Sequence, residues 1–165
     1  MPRICYEPIG VIHSPFKEQD ETPIQSTFSA APGTVEVFPE YAPGLKDLEG
    51  FSHIILLYHF HRAKPGPLLQ RPFLDQGGER GVFAIRHYDR PNPIGLSIVG
   101  LKAIKGNVLE IAAIDVLDGT PLLDIKPYIS KFDRPEHVRC GWFDERGVGS
   151  LKAESYTPGA LREQK

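Results

Sequence analysis

Apolar positions in this chain come in short runs broken by glycine and proline, not at the three-and-four spacing of an amphipathic helix. Tyr6 to His13 and Gly33 to Phe38 read as strands, the second with Val35 and Val37 on one face. His53 to His61 (HIILLYHFH) is dense in β-branched and aromatic residues, as a strand buried on both faces would be. Gly81 to Arg86 follows, then Ser97 to Ile104 and Val108 to Leu117, which flank a Lys105-Gly106-Asn107 hairpin turn. Asp118-Gly119-Thr120-Pro121 reads as a further turn, and Asp124 to Ile129 as a short strand. Helical periodicity is weak, with a turn around Lys46 to Glu49 and a piece near Ala160 to Glu163 as the best candidates. The expected fold is mainly β: a small single-domain β-barrel over residues 1–148 with few short helices, then a C-terminal tail over 149–165.

Composition narrows the class. At 165 residues the chain is one ordinary domain, and its sixteen Gly and sixteen Pro break helices and multiply turns. The longest apolar run, Ile54 to Tyr58, is far too short for a membrane span. Met1 to Cys5 has no stretch suited to a signal peptide, and Cys5 and Cys140 are too few for a disulfide framework. A cytoplasmic protein with free thiols is the expectation. Net charge is −2, so the total does not advertise nucleic acid, yet six Lys or Arg lie between Arg62 and Arg90 against three acids. The proline-rich stretch from Lys64 to Arg80 reads either as a substrate-facing loop or as a mobile surface loop.

The chain has no Rossmann glycine fingerprint, Walker A loop, GxSxG elbow or HExxH motif. His59 and His61 share one strand face and read as polar residues lining a cavity; without a third ligand nearby, no metal is expected. Cys140 lacks a neighbouring base and reads as inert. More distinctive is Arg90-Pro91-Asn92-Pro93-Ile94-Gly95, with Arg86 just before it. The prolines fix φ and restrict Arg90 and Asn92 to extended backbone, which presents a guanidinium and an amide on a stiff loop. Gly95 allows a turn or the close approach of a ligand. Asp115 stands among Ile114, Val116 and Leu117 in what reads as an apolar strand, so its carboxylate needs a donor or a cation.

These segments together resemble the TsaA-like family of TrmO-type tRNA methyltransferases. The resemblance runs from Ile9-Gly10-Val11-Ile12-His13-Ser14-Pro15-Phe16 through Leu48 to Ile54, Gly81 to Ala84 with Arg86, Arg90 to Ser97, Asp115 to Tyr128, and Gly141-Trp142. It implies a β-barrel that binds S-adenosyl-L-methionine without a Rossmann fold, assembles as a homodimer, and methylates N6 of threonylcarbamoyl-adenosine beside the tRNA anticodon. Carried over by position, it implies cofactor contacts from Ser26, Thr27, Phe28, His61, Arg62, Tyr88, Ile98, Ile114, Asp115, Val116 and Leu117, and Arg86 is expected beside them. Asp115 and Asp118 are the expected proton acceptors; Arg90 and Asn92, with Arg86, are expected to shape the site and hold a carboxylate. Two other readings stay open: a methyltransferase with a small-molecule acceptor, and a non-catalytic S-adenosylmethionine sensor.

Overall fold

The computed structural model describes residues 2–72, 78–145 and 157. Six strands close into an antiparallel barrel: β1 (Gly10–His13), β2 (Pro32–Val37), β3 (His53–His59), β6 (Ile94–Lys105), β7 (Val108–Ala112) and β8 (Thr120–Pro127). Their order around the barrel is β1-β2-β7-β6-β3-β8, and β8 returns to pair with β1. A separate ribbon pairs β4 (Leu69–Gln70) with β5 (Arg80–Gly81). Among the described residues helix is confined to 3-10 turns and the short α1 (Ser130–Asp133) and α2 (Trp142–Glu145).

Strand alternation builds the core. Ile12, Val35, Val37, Ile54, Leu56, Val99, Leu109, Ile111 and Leu122 point inward and are buried. Closure leaves the barrel itself without an open edge.

Several strands differ from their sequence reading. The first begins only at Gly10. Gly81 to Arg86 is not a strand: Val82 and Ile85 are the buried residues, and that spacing of three fits the 3-10 turn over Val82–Ala84. In the β6–β7 hairpin Lys105 pairs with Val108, so the loop is Gly106-Asn107, with Gly106 at φ 63. β8 starts at Thr120, earlier than Asp124. Lys46 to Glu49 lies where two 3-10 turns, Pro39–Leu45 and Leu48–Gly50, meet. Ala160 to Glu163 lies outside the described residues.

The registers place the ends of β1, β3 and β7 and the starts of β2, β6 and β8 at one end of the barrel. Residues 14–31, 60–93 and 113–119 are the connections at that end. They form its mouth.

Candidate functional site

The mouth is shaped first by where β7 stops. Ala113 adopts φ 63, a left-handed conformation unfavourable for a residue with a Cβ, and turns the chain out of the ladder. Ile114 to Leu117 is therefore not the strand that its apolar pattern suggests. Three hydroxyls hold the segment instead: Ser29 donates to the Ile114 carbonyl, Ser14 to Val116 and Thr120 to Leu117. β6 extends past the end of β7, and Asp115 comes to its inward-facing Ser97 there.

Ser97 Oγ donates to Asp115 Oδ1 at 2.5 Å, and the Tyr58 hydroxyl lies 2.9 Å from Ser97 Oγ. Ser97 has one hydroxyl proton and spends it on the carboxylate, so Tyr58 is the donor to Ser97. Asp115 is half-buried, with its carboxyl set deep in the wall of the mouth. Burial raises its pKa to about 6, against the opposing pull of Ser97, the backbone of Ser26 and of Asp115 itself, and Arg86. Burial and the Asp115 charge push Tyr58 upward, so its hydroxyl stays protonated.

The loop before β6 supplies the cations. Arg86 Nη1 donates to Gln25 Oε1 at 2.6 Å, and Arg90 Nη1 reaches the Ile85 carbonyl at 3.4 Å. Gly95 lines the mouth and permits the close approach of Tyr58: a Cβ there would stand 2.1 Å from the phenol ring. The described part of the proline-rich stretch is tied to this loop. Lys64 N donates to Asp89 Oδ1 at 2.8 Å, and the Gln70 amide bonds the Asp89 carbonyl at 2.7 Å. Beyond Leu68 the stretch folds back as the β4–β5 ribbon.

Two cavities abut at the mouth. One, of about 490 Å3, is lined by Tyr58, Phe60, Arg86, Tyr88, Arg90, Asn92 and Asp115 among others. The other, of about 600 Å3, is lined by Thr27, Phe28 and a group of further aromatic residues; the two share Ile24, Gln25, Phe83 and Arg86. A small recess continues from Tyr88 and Asp115 to His61, Arg62, Val116 and Leu117. Thr120 has given its proton to Leu117, so His61 Nδ1, 3.2 Å from Thr120 Oγ1, is the donor between them. Burial, then Arg62 and His59, lower the pKa of His61. His59 ends β3 and His61 lies in the turn beyond, so the two do not share a strand face. Among the described residues no three His, Cys, Asp or Glu gather as a metal centre.

Four expected site residues line none of these spaces: Ser26, which meets Asp115 through its backbone, and Asp118, Ile114 and Ile98. Asp118 lines none of these spaces: it bonds Lys17 Nζ and the Ser14 amide, with His13 at 3.5 Å, and the Lys17 bond foremost lowers its pKa. Its carboxylate holds a turn. Ile114 is fully buried in the core, so only its backbone faces the mouth segment. Ile98 follows inward-facing Ser97 and therefore points outward, 38% exposed. Tyr58, Ser97 and Gln25 are functional candidates that the sequence reading missed. A serine in the inward row of β6 and a tyrosine in the inward row of β3 were the available signals.

A closed barrel whose mouth holds two adjoining cavities, with a recessed carboxylate and two arginines lining one of them, has the form of a small-molecule binding barrel. The model of the tRNA-methyltransferase O N-terminal domain family matches residues 11–134. A probable S-adenosyl-L-methionine-binding protein of Pyrococcus abyssi is 59% identical over 150 residues, 90% of this chain and 80% of that one. The tRNA (adenine(37)-N6)-methyltransferase of Escherichia coli is 40% identical over 134 residues, 75% of this chain but 57% of the relative. Crystalline TrmO from Pseudomonas aeruginosa superposes with a TM-score of 0.72 at 38% identity, covering 86% of this chain and 63% of that one. The chain belongs to the tRNA-methyltransferase O N-terminal domain family.

Proposed function

We propose that the protein transfers a methyl group from S-adenosyl-L-methionine to the N6 nitrogen of a modified adenosine in tRNA. The observation that carries this reading is the Asp115 carboxyl, held by Ser97 and Tyr58 in the wall of a cavity that also presents Arg86, Arg90 and Asn92. These residues suit the cofactor. Guanidinium groups match its carboxylate, and the tilted pair of Phe60 and Tyr88, centroids 6.3 Å apart, offers ring surface to its adenine. When bound, the cofactor supplies a methyl already activated on a sulfonium, which leaves the protein the tasks of positioning and proton handling.

An N6 nitrogen carrying a threonylcarbamoyl group is urea-like, with its lone pair delocalised. Asp115 takes its proton, and a carboxylate with a pKa of about 6 is mostly ionised at neutral pH yet basic enough to accept it. Arg86 and Arg90 hold carboxylates, and Asn92 orients polar groups from the proline-stiffened loop. The basic residues of segment 62–90 belong to the same mouth and suit the phosphates of tRNA.

A homodimer is part of the proposal, as is a cytoplasmic setting. Ile94, Leu96 and Ile98 stand 44, 49 and 38% exposed on the outer face of β6, and Leu57 and Ile55 of β3 pair with the last two. This apolar row reaches the cavity through Ile94 and Leu96, so a second copy seated there covers it and brings Ile98 to the mouth. No helix among the described residues is long and apolar enough to cross a membrane.

Calorimetry with S-adenosylhomocysteine tests the cofactor reading: the wild type binds, and Arg90→Ala binds at least about tenfold more weakly, the scale of a lost charge-assisted bond. Unchanged affinity in the variant contradicts the assignment. Light scattering tests the assembly: the wild type runs as a dimer and Leu96→Glu as a monomer, whereas a monomeric wild type overturns the dimer.

A further inference from the structure

Asp115 does not line the larger cavity, whose chemistry differs from that of its neighbour. Phe28, Phe83, Trp142 and Phe143 line it, with Arg86 on the wall shared with the smaller cavity. Trp142 is the only tryptophan of the chain. Its indole is fixed from several sides. Nε1 donates to the Ala84 carbonyl at 2.8 Å, the Arg80 guanidinium sits 5.0 Å from the ring centroid, and the Phe143 ring meets it edge-on. Gly141, at φ 58, makes the turn that delivers the ring. The indole is half-buried and the rest of its surface borders the cavity.

Aromatic walls with one cation make a stacking site for a planar, electron-rich ring, and they offer little to an aliphatic or highly charged ligand. We infer that this cavity receives the purine ring of the acceptor nucleoside, stacked on Trp142, while the cofactor occupies the neighbouring cavity; Thr27 and Phe28, which the family resemblance assigns to the cofactor, then face the acceptor instead. The inference rests on the methyltransferase reading given above. Two reactants that exchange a methyl must meet, and among the described residues these two spaces share the wall of Ile24, Gln25, Phe83 and Arg86. Asp115 lines the smaller cavity only, so the exocyclic nitrogen of a purine seated against Trp142 must reach across that wall to meet it. Phe83, 79% exposed, gains a partner when the base enters.

Because Trp142 is unique, its emission reports the cavity directly in the wild-type protein. The protein is first saturated with S-adenosylhomocysteine, with binding followed by calorimetry, and then titrated with threonylcarbamoyl-adenosine nucleoside. The expected result is little change in Trp142 emission on cofactor binding and strong quenching on nucleoside binding. Trp142→Ala raises KM for tRNA about tenfold, as loss of one stacking partner should, and leaves cofactor affinity unchanged; Trp142→Phe recovers most of it. Nucleoside binding with no change in emission overturns the inference, and so does a failure of the nucleoside to bind. Quenching by S-adenosylhomocysteine that then blocks the nucleoside assigns the cavity to the cofactor's own adenine, and also overturns it. Absence of any calorimetric signal from S-adenosylhomocysteine strikes the methyltransferase reading itself, which separates the two failures.

Discussion

Replacing Ser97 by alanine isolates what holds Asp115 in its working state. The serine donates at 2.5 Å to a carboxylate whose pKa burial has raised to about 6, and this bond favours the ionised form. A hydrogen bond to a charged group contributes about 1.5–3 kcal/mol, and each pKa unit corresponds to about 1.4 kcal/mol, so its loss moves Asp115 upward by about one to two units. The acid limb of kcat/KM, set by ionised Asp115, shifts from near pH 6 to about pH 7–8. Activity near pH 7 drops, and most of it returns at pH 9. The titratable and charged groups beside Asp115 (Arg86 and Arg90 from the loop, Arg62 and the imidazole of His61, whose pKa is lowered, beyond β3) remain in place, and Tyr58 stays protonated throughout. The assay is methyl incorporation into tRNA across pH 5 to 9, with Ser97→Thr as the variant that keeps the hydroxyl and the wild-type profile. If Ser97→Ala lowers the rate equally at every pH, Asp115 is not the proton acceptor.

Three further outcomes follow from the same geometry. Asp115 titrates higher folded than unfolded, so the stability it contributes is full below pH 3.8 and is lost as pH rises through about 6; the rise corresponds to about 3 kcal/mol. Asp115→Asn is therefore inactive but more stable than wild type at pH 7.5, with the two converging at pH 4; a difference independent of pH in urea melts contradicts this. Gly95→Ala drives a methyl into the Tyr58 ring and loses about 1–3 kcal/mol of stability by overpacking, measured by denaturant midpoint; a neutral substitution means that the ring does not sit there. Ala113→Gly relieves the left-handed strain and leaves the melting temperature equal or higher by a few degrees, whereas a clear loss shows that the turn is not strained.

Sequence alternation was enough to read the barrel. The inward rows of β2, β3 and β7 are apolar at every second position, and glycine marks the turns at Gly106 and Gly119. The residues that line the smaller cavity stood out where chemistry broke the pattern: Arg90 before Pro91, Asn92 between two prolines, and Asp115 among aliphatics. Other features depended on contacts across the chain. An alanine gives no hint that Ala113 leaves the ladder, so the apolar run after it looked like more strand. Asp118 was expected as a proton acceptor because its partners His13, Ser14 and Lys17 are about a hundred residues earlier. The aromatic cavity joins Phe28, Phe83 and Trp142 from three distant segments, and no local spacing announces it.

The central claim meets its most direct test in methyl transfer from labelled S-adenosylmethionine to tRNA from cells lacking their own enzyme, followed by nucleoside mass spectrometry. The account predicts one new methyl on threonylcarbamoyl-adenosine with the wild type and none with Asp115→Asn. No incorporation by a wild-type sample that binds S-adenosylhomocysteine, or full incorporation by Asp115→Asn, would contradict it.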